Sequence, residues 1–124
     1  MPLFRDMDEA SQDMVLRACN FKLLAIMTGR AKLRERRKSV ILTDDEAFEI
    51  ETSLLRLQFA ADDLLDEKAA LKLSTKNIRA PKDEELSEMR DKVEAIHQIN
   101  VKNRKAKVII AAVEDVAGDL PALG

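Results

Sequence analysis

From Ala47 onward the apolar residues step along the chain by threes and fours: Ala47, Ile50, Leu54, Leu57, Ala61 and Leu64, then Lys68 and Leu71. That spacing draws one stripe down a helix, the a and d positions of a heptad. The rhythm returns in Leu86, Met89, Val93 and Ile96, then either runs into Asn100 and Asn103 or slips by one to Ile99, Asn103, Ala106, Ile110 and Val113. On either path an asparagine falls on the stripe, and a buried Asn103 is expected to set register at some cost in stability.

Start and stop signals divide the pattern into three helices. The first is expected over residues 7–38, with Asp6, Asp8, Glu9 and Asp13 at its positive end and Arg34, Arg36, Arg37 and Lys38 at its negative end. The second, over 44–73, opens with Thr43 as N-cap and Glu46 completing a capping box. STKNIRAPKDEEL then reads as a linker in which Pro81 suits a first helical turn, and the third helix is expected over 82–117. Gly118 stops it, Pro121 keeps it from resuming, and residues 118–124 form a tail whose GDLPALG is either frayed or a short docking peptide. Helices of about 30 residues are about 45 Å long. Three of them with short connections predict an all-α, antiparallel up-down-up bundle in one domain spanning residues 1–124.

Residues 14–27, MVLRACNFKLLAIM, hold eleven apolar positions in fourteen, and VIIAAV at 108–113 has no polar position. A helix apolar on every side is either central or covered by another chain. The expectation is a homo-oligomer in which a partner subunit completes the bundle, with Met14, Leu16, Phe21, Leu23, Leu24, Met27, Ile109, Ile110 and Val113 at the contact.

Composition supports helices. Ala, Glu, Lys, Leu and Arg make up about half of the chain. Only three glycines and three prolines interrupt it. A net charge of −2 gives no global pull toward polyanions or membrane surfaces. One cysteine excludes an internal disulfide, no leader is apparent, and no apolar run approaches the roughly 20 residues that span a bilayer. A cytoplasmic protein without a cofactor, acting on its own kind or on another protein, is the simplest expectation.

Three clusters carry candidate chemistry. Arg30, Lys32, Arg34, Arg36, Arg37 and Lys38 hold six bases against the single acid Glu35, and such a helix end is able to lie along phosphates. Yet no aromatic residue accompanies them, the chain has no Tyr or Trp, and the acids from Asp44 to Glu51 lie across the turn. Nucleic-acid binding is therefore an alternative, and two dipole-matched helix ends are the expectation.

Asp63 and Asp66 on the second helix, with Glu88 and Asp91 on the third, offer oxygen ligands of the kind Mg²⁺ takes. These pairs resemble the ExxE and ExxD pairs of the all-helical nucleotide pyrophosphohydrolases, over these few residues and with aspartates where that pattern has glutamates. The resemblance implies a metal-dependent phosphohydrolase. The heptad count turns all four toward solvent. Glu94 and His97 have the Glu-x-x-His spacing of di-iron carboxylate bundles, but one copy is half a site. Completing it takes a symmetric dimer and a further acid such as Glu67. Cys19 lies in the most apolar stretch, where burial makes a thiol inert.

A non-enzymatic assembly or adaptor protein working through apolar helix faces is the reading that remains. At the turn between the first two helices, Val40, Ile41 and Leu42 are expected to fold over VIIAAV and close the end of the bundle.

Overall fold

The computed structural model describes residues 2–122. Regular structure among them is helical: α1 (Glu9–Ser39), α2 (Asp44–Ala69), α3 (Asp83–His97) and α4 (Ala106–Ala117), with short 3-10 turns at Phe4–Asp6 and Leu71–Leu73. No helix among them is long and apolar enough to cross a membrane.

The ends of α1 and α2 follow their caps. Asp8 precedes α1 and its carboxylate accepts the Ser11 amide at 2.8 Å; Thr43 precedes α2 and its hydroxyl accepts the Glu46 amide at 3.1 Å. Each hydrogen bond satisfies one amide that has no partner within the helix.

The long apolar stretch of α1 makes it the spine. It packs against α2, α3 and α4, whereas α2 and α3 have little contact of their own. Ala25, Ile26 and Leu33 of α1 meet Ile50, Leu57 and Ala61 of α2, Val93 and Ile96 of α3, and Ile109, Val113 and Val116 of α4 in one core. Helix α4 comes close enough at Gly29 that a Cβ placed there would overlap the Val113 methyl. Glycine in a helix interior costs about 1 kcal/mol relative to alanine, and here that cost permits the approach.

The third expected helix is two. Helix α3 ends at His97, residues 98–105 form turns, and α4 folds back so that Lys92 meets Asp115 at 3.3 Å. The break falls where the apolar stripe slipped. Asn100 Oδ1 accepts the Lys102 amide at 3.1 Å, a local bond that competes with helix. Asn100 and Asn103 are both exposed in these turns, so Asn103 fixes no buried register; Val101 is the residue that points inward. The two-helix arrangement lets the stripe restart in phase as Ala106, Ile109, Val113 and Val116.

At the other end of the molecule a second, small core forms around Phe4, Val15 and Leu71, with Met7, Leu16, Ile78 and Ala80 against it. The Ile78 amide donates to Pro2 O at 2.9 Å, so the segment before α1 and the linker after α2 close over each other. Helix α2 stops at Ala69, short of residue 73, and Pro81 lies just outside α3, whose N-cap is Lys82.

Candidate functional site

The basic run at the end of α1 is divided by the helical period. Arg36 continues the stripe Ile26, Gly29, Leu33 and is buried. Its Nε and Nη2 donate to the Glu46 carboxylate, the latter at 3.0 Å, and its Nη1 donates to Val101 O at 2.6 Å. Glu46 in turn accepts the Ala106 amide at 2.9 Å. Its side chain caps α4 rather than returning to Thr43, so the expected capping box is half made. Lys32 donates to Ile99 O at 3.1 Å. Two cations of the run thus hold the carbonyls that the α3–α4 break sets free, and Arg37 pairs with Glu51. Arg34 and Lys38 are exposed. A continuous six-cation surface for phosphates is absent, because half of the run faces the protein or a carboxylate.

The Arg36 hydrogen bonds hold the Glu46 carboxyl below the usual carboxylate range, outweighing the desolvation that pushes it up, and the Ala106 amide adds to the lowering. This corner is a structural clasp. The hydrophobic lid expected over it is partial: Leu42 packs on the core and Val40 is half-buried, but Ile41 stands fully in solvent. What closes the corner is Val101 and Ala106 rather than residues 108–113.

Asp63, Asp66, Glu88, Asp91, Glu94 and His97 are all exposed. Because α1 separates α2 from α3, the two acid pairs are not side by side. Glu88 lies 3.7 Å from Lys92, Asp91 3.6 Å from Arg90, and Glu94 accepts the Gln98 amide nitrogen at 2.9 Å. Among the described residues no group of three or more His, Cys, Asp or Glu is placed to hold a metal. His97, expected half-buried beside the stripe, occupies the exposed last turn of α3.

A cleft of about 320 Å³ opens between α1, the end of α2, the linker and α3, lined chiefly by Val15, Ala18, Leu64, Leu71, Ile78 and Met89. Cys19 sits in its wall, and burial pushes the thiol up, the state of a packed rather than a reactive cysteine. Lys22, Glu67 and Arg79 also line it, but Arg79 is committed to Glu85 by two hydrogen bonds of 2.7 Å. Lys22 and Lys68 oppose the rise of the thiol, but burial outweighs them.

The expected interface residues divide sharply. Ile109 and Val113 are fully buried in the chain's own core and leave the list. Phe21, Leu23 and Ile110 pack on that core, Leu16 packs on the second one, and Met14 is half-buried. Leu24 and Met27 remain 48% and 61% exposed on the outer side of α1. The α1–α2 register extends this surface. Arg37 reaches Glu51, and Lys68 donates to Asn20 Oδ1 at 2.8 Å, so α1 and α2 run antiparallel with their outer flanks adjoining. Leu55 and Leu65 lie on the Glu51 flank at helical spacing, with Phe48 and Phe59 one row further round. All four are about half exposed or more. Sequence reasoning missed these, although Phe48, Leu55 and Phe59 form a second stripe opposite Ile50, Leu57 and Ala61.

No protein-family model matches the chain, and no curated protein or solved structure resembles it significantly.

Proposed function

We propose that this protein is a non-enzymatic assembly or adaptor protein whose interaction surface is the outer face of α1 and α2. A single observation carries the reading: six large apolar side chains, Leu24, Met27, Phe48, Leu55, Phe59 and Leu65, stay exposed on two adjoining helices of a chain whose own core is already filled. Apolar surface gathered on one face is characteristic of contact with another protein, whereas scattered single residues are ordinary. The partner subunit expected to complete the bundle would sit against this face, and Ile109 and Val113 are excluded from it by their burial.

A photoreactive side chain at Phe59 or Met27 tests the proposal in the cells that make the protein. Discrete protein adducts are expected at both positions and not at Ile41 or Leu73, which are exposed but lie off this face. Equal labelling at all four positions, or none at Phe59 and Met27, sinks the reading.

A further inference from the structure

We infer that a second copy of this chain covers the outer α1–α2 face, related by a two-fold axis along the helices, so that α1 of each copy lies antiparallel on α2 of the other. The inference rests on the interaction-surface reading above and supplies its occupant.

Register decides the pairing. The Arg37–Glu51 and Asn20–Lys68 contacts set Leu24 level with Leu64, Met27 with Ala61, Arg30 with Gln58 and Arg34 with Leu54. A two-fold along the helices preserves those levels. Leu24 of one copy then comes level with Leu65 of the other, while Lys38 comes level with the turn that carries Glu51 and Arg30 comes within about one turn of Asp62. A two-fold across the helices, centred on the apolar stretch, instead lays α2 on α2 and brings the Asp62 carboxylates of both copies together. Charge complementarity selects the first arrangement.

The cations concerned form no ion pair among the described residues, and each acid keeps an oxygen free of hydrogen bonds. Arg30 Nε is buried and has no hydrogen-bond partner, a costly state for a guanidinium nitrogen. Neither Arg34 nor Lys38 forms an ion pair among the described residues. Asp62 accepts only the Gln58 amide nitrogen, at 3.0 Å, and Glu51 meets Arg37 through one oxygen. Along α1 the outer stripe is apolar at Leu24 and Met27 and cationic from Arg30 onward; along α2 it is anionic at Glu51 and Asp62 and apolar at Leu55 and Leu65. Each copy therefore carries both halves of one complementary pattern. In this arrangement every pair of neighbouring helices across the interface is antiparallel, so their dipoles also oppose favourably.

Charge exchange tests this geometry. The full chain is expected to sediment as a dimer at micromolar concentration. The variant R30E/K38E and the variant E51K/D62K each place like charges in both halves of the interface, and each should weaken dimerisation about a hundredfold or more. Mixed in equal amounts, they should form a heterodimer, because every reversed charge then faces a reversed partner. Circular dichroism with unchanged helix content confirms that both variants fold. A wild-type chain that stays monomeric at micromolar concentration, variants that still dimerise, or a mixture that stays monomeric would each overturn the second-copy inference. If the purified chain is monomeric while Phe59 still cross-links to another protein in cells, the second copy fails and the interaction surface stands.

Discussion

The two ends of the molecule use the same chemistry for different ends. At the α1–α2 corner, Arg36 grips Glu46, and Glu46 also accepts the Ala106 amide. At the far end Arg79 grips Glu85, and Glu85 also accepts the Lys82 amide at 3.1 Å. The side chains of the first pair are 9% and 14% exposed, those of the second 57% and 40%. Sequence separation differs as well: the corner joins α1, α2 and the α3–α4 turn, whereas Arg79 and Glu85 are six residues apart. The difference teaches that the stabilising weight of an ion pair lies in what loses a partner when it is removed. At the corner that loss includes a charge away from water, the Val101 carbonyl or the Ala106 amide.

The largest expected effect therefore belongs to the corner. Glu46→Ala leaves the Arg36 guanidinium buried without a counter-charge and uncaps α4, which should cost about 3–5 kcal/mol. For a chain of this size that lowers Tm by about 10–20 °C. Thermal unfolding followed by circular dichroism checks it, and a fall of less than about 4 °C would show that the corner relaxes to readmit water. Acid supplies a second readout. Glu46 titrates below its ordinary value of 4.5, so its contribution is complete above that pH and is lost as pH falls through the lower, folded value. Glu46→Gln removes that titration; its unfolding free energy should start lower and fall less steeply below pH 4.5 than that of the wild type.

A smaller effect is expected in the middle of α1. Gly29→Ala gains about 1 kcal/mol of helix propensity but drives a methyl into Val113. Overpacking of this kind costs about 1–3 kcal/mol, so the balance should be destabilising. Pairing it with Val113→Ala opens the space the new methyl needs, and the two changes should be less harmful together than their sum by about 1 kcal/mol or more. Strict additivity would mean that α4 simply moves away from α1.

Much of this architecture was written in the spacing of apolar residues. The α2 stripe from Ala47 to Leu64 and the α3 stripe from Leu86 to Ile96 face inward as read, and the caps Asp8 and Thr43 do what their side chains allow. The α3–α4 break was visible only as a slip at Asn100, because neither glycine nor proline marks it. What makes the break tolerable lies far away in sequence, in Lys32, Arg36 and Glu46, which satisfy the exposed backbone groups. Arg36 was misread for a related reason. Grouping it with its charged neighbours hid that it stands one turn beyond Leu33 on the buried stripe. The outer face was half legible: Leu24 and Met27 came from the excess of apolar residues in α1, while the α2 side emerges only once it is known which face of α2 meets α1.

The smallest effect is expected at Arg79, and it completes the contrast between the two ends. Removing this side chain takes two hydrogen bonds from Glu85, as many as Arg36 gives Glu46, yet both partners already face water. Solvent screens the attraction and rehydrates the carboxylate at once, and exposed pairs of this kind commonly contribute little measurable stability. The Lys82 amide keeps its acceptor, so the start of α3 is not orphaned. Arg79→Ala should therefore shift Tm by no more than about 2 °C, and by less still in 0.5 M salt. A loss approaching that of Glu46→Ala would mean that the linker end depends on Arg79 to hold the small core of Phe4, Val15 and Leu71 together, and that exposure is not what separates the two pairs.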